Sequence, residues 1–392
     1  MGVNIQEHSL NFGLVGYKFM GKAHSNALQR VGMFFEPSAK VNMTAICGRD
    51  PEGVKKAAEK FGWERYETSW ESLVKMDDIH IIDITTPNNT HKEIAVAAAQ
   101  NGKHVFCEKP LAMTVTDARE MLNAAEKYHI KHQIGFNYRF APAVQLAKQL
   151  IDTGKLGKIH HFRGTYLQDW LLDPDFPATW RTDKNVAGSG AHGDLGAHII
   201  DLARFLVGEF KSVVGINKTF VKERPEAKDM MGLSATKTVQ NKKVPVTVDD
   251  ASLFLCEFKN GALGTFEATR FAAGRKNAMT FEVNGSEGSV CFEFERMNEL
   301  QYYNAKDPAG LQGFRLIQAT EGIHPYVEKW WPVGHVLGYE HTFVHELYEF
   351  IECICKDKPC TPSFYDGVEC CRILDAVELS ATERSWVDID KI

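Results

Sequence analysis

The sequence predicts an α/β protein in two parts: a domain with a parallel sheet over residues 1–140, and an α+β domain over residues 141–392 with a large, mostly antiparallel open sheet. Three observations predict it. A chain of 392 residues exceeds what one hydrophobic core usually serves. Up to about residue 140, short apolar runs alternate with amphipathic stretches of helix length, the pattern of βαβ units. Beyond Ala141 the alternation gives way to one helix, Val144 to Thr153, and then to a series of β-branched and aromatic runs separated by turns.

Composition limits the partners. The net charge of −6 comes from interspersed acids and bases, which argues against nucleic acid or an anionic membrane and leaves a small neutral substrate. No apolar run approaches the ~20 residues that cross a bilayer. The N-terminus, Met1 to Asn11, is polar and lacks the apolar core of a signal peptide, so a cytoplasmic location is expected. Nine cysteines are an odd number, and Cys47, Cys107, Cys256 and Cys291 lie in apolar runs, as reduced core thiols do. Cys353, Cys355, Cys360, Cys370 and Cys371 lack paired Cys-x-x-Cys spacing, so no metal is assigned to them.

The first strand is Leu10 to Val15. It runs through Gly13-Leu-Val-Gly16-Tyr-Lys-Phe-Met-Gly21 into a helix through Ala27, a βα turn of Rossmann type in which Gly16 and Gly21 take the outer glycine positions. Lys18 stands at the middle one. Gly16, Tyr17, Lys18, Phe19 and Met20 are therefore the candidates to face a dinucleotide pyrophosphate. The second strand, Val41 to Cys47, ends in Gly48-Arg49-Asp50-Pro51. An acid here would bind the ribose of NAD and an arginine the 2′-phosphate of NADP; with both present, NAD is expected and NADP stays open, Arg49 being its contact. A third strand, Ile79 to Ile84, leads through Thr86-Pro87-Asn88 to His91 and a helix from Lys92 to Asn101.

The next strand begins at His104 and runs into Glu108-Lys109-Pro110. Taken alone, such a tripeptide is a common solvated turn. Behind a nucleotide-binding pattern it reads differently: proline fixes its own φ and pushes Lys109 towards an extended conformation, so the lysine is aimed by its backbone. Thr114 to Tyr128 reads as a helix with Thr114 or Thr116 as N-cap, and His132 to Tyr138 as a strand ending at Asn137-Tyr-Arg139-Phe.

In the second domain, strands are expected at Lys158 to Asp169, Val213 to Val221, Asp249 to Phe258, Gly261 to Phe271, Met279 to Asn284 and Ser289 to Glu295, with hairpin turns at Asn260-Gly261 and Asn284-Gly285. Leu337 to Cys355 and Gly367 to Ser385 are long helices, of the kind that return to the first domain. They leave one face of the sheet uncovered, which predicts a homo-oligomer, a dimer or tetramer. Between the strands lies Trp170 to Asp201, where Trp170 and Trp180 offer faces to sugar C–H groups and Arg181 and Asp183 offer charged hydrogen bonds. In a helix beginning near Gly193, Asp194 and His198 share a face, with Asp201 a turn further.

Glu108-Lys109-Pro110, Trp180-Arg181 and Gly193-Asp-Leu-Gly-Ala-His-Ile-Ile-Asp201 together resemble the Gfo/Idh/MocA family of NAD(P)-dependent oxidoreductases over nearly the whole chain. The resemblance implies that Lys109, Asp194 and His198 form the catalytic set, that Thr86, Pro87, Asn88, His91, Glu108, Lys109, Asn137, Trp180 and Arg181 meet the cofactor, and that Lys109, Arg139, Trp170, Asp183, Asp194 and His198 meet a carbohydrate. The expected reaction moves hydride between a secondary hydroxyl of a sugar, glycoside or cyclitol and NAD(P), with His198 taking the hydroxyl proton and Lys109 steadying the alkoxide. This chemistry needs no metal; the spacing of His324, His335, His341 and His345 suits a helix face. Two rivals share the motifs: an NAD-dependent enzyme that cleaves glycosides through transient oxidation, and a non-catalytic NAD(P)-binding sensor. The segment Trp170-Leu-Leu-Asp-Pro-Asp175 hints at a glucoside or anhydrosugar.

Overall fold

The computed structural model describes residues 9–231, 234–237 and 242–392. The reading of the polar N-terminus rests largely on residues 1–8, which lie outside the described residues. Two compact units emerge, one comprising residues up to Asn137 together with Tyr339–Val368, the other Tyr138–Gly338 together with Glu369–Ile392.

The first unit opens β1 (Ser9–Val15), α1 (Phe19–Phe34), β2 (Lys40–Cys47), α2 (Pro51–Phe61), β3 (Arg65–Glu67) and α3 (Trp70–Leu73). It continues with β4 (Ile81–Ile84), α4 (His91–Gln100), β5 (His104–Glu108), α5 (Val115–Lys127) and β6 (His132–Gly135). The six strands form one parallel sheet in the order β3-β2-β1-β4-β5-β6. This is the doubly wound Rossmann arrangement, and the order reverses between β1 and β4, where such sheets bind ligands. The local sequence explains the elements. All four residues of β4, Ile-Ile-Asp-Ile, are buried, as a strand covered on both faces requires. Pro51 starts α2 and Gly62, at φ 76°, stops it. Of the two threonines proposed as the cap of α5, Thr114 is the one that accepts the Asp117 N–H.

In the second unit α6 (Pro142–Asp152), β7 (Ile159–Leu167) and α7 (Lys184–Ala187) precede a π-turn, His192–Gly196, that runs into α8 (Ala197–Leu206). Then come β8 (Phe210–Lys218), the short β9 (Glu223–Pro225), β10 (Ala227–Met231), β11 (Ser234–Lys237) and β12 (Lys243–Pro245), and the longer β13 (Ala251–Phe258), β14 (Leu263–Thr269), β15 (Ala278–Gly285) and β16 (Gly288–Glu293). The chain closes with β17 (Glu299–Asn304), β18 (Arg315–Gln318), α9 (Tyr339–Cys355) in the first unit, α10 (Phe364–Glu383), which passes from one unit to the other, and β19 (Val387–Asp388).

Nine of these strands form a sheet in the order β18-β17-β16-β15-β7-β14-β13-β8-β19, antiparallel throughout except where β14 meets β7. One face is a phenylalanine core in which Phe254 stacks on Phe266 at 4.4 Å and Phe162 on Phe266 at 5.2 Å. On β13, Leu253 and Leu255 alternate with the buried Phe254 and Cys256 and point to the other face, beside Ile216 and Leu263.

One expected turn is misplaced. Asn284 pairs with Ser289, so the β15–β16 hairpin turns at Ser286-Glu287, and Gly285 is glycine because a β-carbon there would overlap the Leu156 carbonyl. Gly261, at φ 85°, does serve its hairpin and donates to the Phe258 carbonyl at 2.9 Å. Among the described residues no helix is long and apolar enough to cross a membrane, and no group of three or more His, Cys, Asp or Glu side chains is placed to hold a metal ion.

Candidate active site

In the first unit the glycine turn after β1 is shaped by close approach. Gly16 sits at φ 105°, and a β-carbon there would stand 2.9 Å from the Thr85 carbonyl oxygen. At Gly21 a β-carbon would overlap the Gly16 carbonyl. Both outer glycines are thus required, whereas Lys18, at φ −83°, needs no glycine and extends an exposed side chain at the N-cap of α1. The helix has no side-chain cap and no acid in its first turn, the condition under which a helix N-terminus accepts an anion. A dinucleotide pyrophosphate fits such a turn. Phe19 is exposed beside it and Met20 half-buried.

Tyr17 leans from the same turn across the end of β2. A β-carbon on Gly48 or Gly53 would overlap its ring or hydroxyl, and its hydroxyl lies 3.4 Å from Asp50 Oδ2. Arg49 is exposed. After β4, the Thr90 hydroxyl donates to Thr86 Oγ1 at 2.7 Å, fixing the half-buried Thr86-Pro87-Asn88 turn.

Several residues expected to touch the cofactor turn out to hold the scaffold instead. His91 has no exposed surface; its ring lies between the carbonyls of Thr86 (2.9 Å) and Pro110 (3.0 Å), and burial lowers its pKa. It joins the two turns rather than reaching a ligand. Asn137, also buried, donates its amide to Thr342 Oγ1 at 2.9 Å, fastening the end of the sheet to α9. Glu108 is buried with both oxygens engaged, one on His24 Nε2 at 3.0 Å and the other on the Lys109 N–H at 3.1 Å. Lys109 itself is half-buried where β5 ends, and the peptide joining it to Pro110 is cis.

Sequence reasoning missed His24, Asp83 and Glu346, all fully buried around Glu108. A signal existed: Asp83 is an acid inside Ile-Ile-Asp-Ile, and no charge belongs in a strand covered on both faces without a partner.

In the second unit the π-turn is built by Asp249, whose carboxylate accepts the N–H groups of Gly190 (2.7 Å) and His192 (2.8 Å). His192 is clamped in turn: the Leu374 carbonyl can only accept, so Nε2 carries the proton and Nδ1 receives the Ser252 hydroxyl. This fixes the start of α8 and with it Asp194 and His198. Asp194 Oδ2 lies 3.9 Å from Arg181 Nε and equally far from Arg270 Nη1. Arg181 stacks on Trp180 at 4.4 Å and Arg270 lies over Trp170 at 5.7 Å. Burial pulls the Arg181 pKa down and Asp194 opposes it. Arg270, which the sequence reading overlooked, is thus as much a neighbour of Asp194 as Arg181 is. His198 stacks on Tyr138 at 4.3 Å, and the Tyr138 hydroxyl pairs with that of Tyr166 at 2.6 Å.

Trp170 donates its indole N–H to Gln168 at 2.9 Å and keeps a half-buried ring. Two expected substrate contacts have structural partners. Arg139 is buried and forks onto both oxygens of Asp201 at 2.7 and 2.6 Å, tying the chain before α6 to α8. Asp183 caps α7 by accepting the Asn185 N–H at 3.0 Å.

A glycine-turned helix entry on a 3-2-1-4-5-6 sheet, followed by an Asp–His helix beside a large open sheet, agrees with what the comparisons find. The family model for the GFO/IDH/MocA oxidoreductase family, NAD-binding Rossmann fold, matches residues 10–136, and that for the GFO/IDH/MocA C-terminal domain matches residues 144–291. The chain belongs to the Gfo/Idh/MocA family. As such it is an oxidoreductase with an NAD-binding Rossmann domain. It is 45% identical to the levoglucosan dehydrogenase of Pseudarthrobacter phenanthrenivorans, over 98% of this chain and 99% of the relative. The solved structure of levoglucosan dehydrogenase in complex with NADH and levoglucosan aligns with a TM-score of 0.92, covering 97% of this chain and 100% of that one. An oxidoreductase domain protein from Kribbella flavida, 49% identical, aligns at 0.93 over 97% and 99% of the two chains.

Proposed function

We propose that this member of the Gfo/Idh/MocA family oxidises a ring hydroxyl of an anhydrosugar of the levoglucosan type, with NAD as acceptor. The observation that carries the reading is the 45% identity to a levoglucosan dehydrogenase, which runs over nearly the full length of both chains rather than over the nucleotide domain alone. The local chemistry supports it. The surroundings of Asp194 are tryptophan faces and guanidinium groups, the surfaces that C–H faces and hydroxyls of a sugar use.

When bound, NAD supplies the hydride acceptor. Gly16, Tyr17, Lys18, Phe19 and Met20 hold its pyrophosphate, Arg49 stands by the adenosine ribose, and Thr86, Pro87 and Asn88 line it. The chain's own residues manage the proton. His198 takes it from the hydroxyl, Lys109 steadies the negative charge that develops on oxygen, and Asp194, held by Arg181 and Arg270, orients a hydroxyl of the sugar. We further infer that the outer face of the nine-stranded sheet is covered by a second copy of the chain, because Ile216, Leu253, Leu255 and Leu263 form an apolar patch on it.

The test is absorbance of NADH formed from levoglucosan, glucose, alkyl glucosides and inositols, each with NAD and with NADP. Turnover of levoglucosan well above that of free glucose is the expected result. Release of free sugar from glycosides without NADH would place the chain with the glycoside-cleaving enzymes, and no turnover of any of these compounds would overturn the reading.

A further inference from the structure

His24 enters the first unit six residues into α1, where solvent does not reach it. Its Nδ1 lies 2.9 Å from both oxygens of Asp83 on β4, and its Nε2 lies 3.0 Å from Glu108 Oε1 on β5. A neutral imidazole has one N–H and one lone pair, and a carboxylate only accepts. The three groups are therefore satisfied together when both ring nitrogens carry a proton. Burial pulls the His24 pKa down, but Asp83 and then Glu108 raise it well above the ordinary histidine value. The rings of Phe106 (5.5 Å) and Phe343 (5.6 Å) close the remaining sides.

A third carboxyl faces this cluster. Glu346, on α9, has no exposed surface, and neither of its oxygens has a hydrogen-bond partner among the described residues. Burial, and next the charge of Glu108, push its pKa well up, which favours its neutral form beside the His24 cluster. Glu108 is thus held hard. One oxygen is on His24, a β-carbon on Gly135 would touch it at 3.0 Å, and the other oxygen accepts the backbone N–H of Lys109 at 3.1 Å.

We propose that His24 is a positioning residue for Lys109: bridging Asp83 and Glu108, it fixes the carboxylate that in turn fixes the backbone from which the Lys109 side chain departs. This rests on the catalytic reading of Lys109 given above. It also gives α1 a second role. The helix that begins at the pyrophosphate turn reaches, through His24, the strand end that carries the lysine, so both depend on one buried ion cluster.

The experiment is a double-mutant cycle of His24→Asn and Lys109→Ala on the full-length enzyme, read as kcat and KM with levoglucosan and NAD. His24→Asn is expected to lower kcat by roughly 10- to 100-fold, the scale of a lost alignment, with KM for NAD within about twofold. In the Lys109→Ala background it should lower the residual kcat no further, since the group it positions is gone. An equal factor in both backgrounds would mark His24 as a general stabiliser and overturn the proposal. A collapsed Lys109→Ala beside an unchanged His24→Asn would also overturn it while sparing the catalytic reading of Lys109; full turnover by Lys109→Ala would overturn that reading and the proposal with it, while sparing the substrate assignment. Should His24→Asn fail to fold, nitrogen NMR of the wild-type imidazole decides: His24 is expected to stay doubly protonated at pH 8, and a bare ring nitrogen there would overturn the proposal.

Discussion

The ring of Tyr17 occupies the space that a side chain at position 48 would need, so that a β-carbon on Gly48 would overlap it. Tyr17 comes from the glycine turn after β1 and Gly48 from the end of β2, the position at which many Rossmann folds carry an acid for the adenosine ribose. The glycine leaves room for the tyrosine, and on the proposed reading the neighbouring charges, Arg49 and Asp50, sort the two nicotinamide cofactors. Asp50 is already near the Tyr17 hydroxyl, at 3.4 Å. Gly48→Ala should push the ring out and weaken NADH binding by roughly 1–3 kcal/mol, the scale of local overpacking. Arg49→Ala should weaken NADP far more than NAD, because only NADP offers a 2′-phosphate. Fluorescence titration with NADH and NADPH checks both, and equal losses for Arg49→Ala would assign that side chain to the adenine.

The exposed apolar patch on the large sheet gives a second expectation. Ile216 is 63% exposed and Leu263 53%, with Leu253 and Leu255 between them. Paired Leu253→Lys and Leu255→Lys changes put two charges into the middle of the patch and should convert an oligomer into monomers at micromolar concentration. Light scattering measures it. A wild-type chain that is already monomeric would remove the second copy from the account.

Acid should unfold the first unit through two histidines. His104 Nδ1 accepts the Lys131 N–H and His132 Nδ1 accepts the Phe364 N–H, each at 3.0 Å, and a nitrogen that accepts cannot carry a proton. Burial, and next the charge of Lys131, lower both to about 4 from an ordinary 6.5. The unfolded chain thus binds protons at a higher pH than the folded one. Their contribution is fully present above about pH 6.5 and is lost as pH falls towards 4. Thermal unfolding temperatures should drop through that window. His132→Asn, whose side-chain oxygen can accept the same N–H without titrating, should flatten the drop.

Much of this fold could be read in the chain because its signals are local. Strand, glycine turn and helix follow one another at Leu10–Ala27, and alternation along β13 places Leu253 and Leu255 opposite Phe254 by arithmetic alone. The site was legible where a motif is contiguous, as at Glu108-Lys109-Pro110 and Asp194 to His198. It was illegible where partners are distant in sequence. Arg139 looks like a ligand contact until Asp201, 62 residues on, claims it; Glu108 does until His24 arrives from 84 residues before. Arg270 and Glu346 are illegible for the same reason: unlike Asp83, neither stands inside a wholly apolar run, and what buries them comes from distant parts of the chain. Asn284-Gly285 is a good turn sequence, yet that glycine serves close approach to Leu156.

The catalytic assignment makes the sharpest demand. If His198 is the base, His198→Ala should lower kcat by about 10² or more and leave NADH affinity nearly unchanged, since the imidazole acts on the substrate hydroxyl. The histidine is firmly held, because α8 is anchored through Asp249 and His192 and the ring is stacked on Tyr138 at 4.3 Å. Lys109→Ala should be at least as damaging, because the hydroxyl proton is harder to remove when nothing steadies the charge left on oxygen. Residues that serve one step do not add, so the double variant should be scarcely worse than the poorer single one. Stopped-flow NADH absorbance, with folding verified by circular dichroism, measures all three. Near-normal turnover in both single variants would take the proton and the developing charge away from His198 and Lys109, whereas no turnover by the wild-type chain would return the non-catalytic sensor to the front.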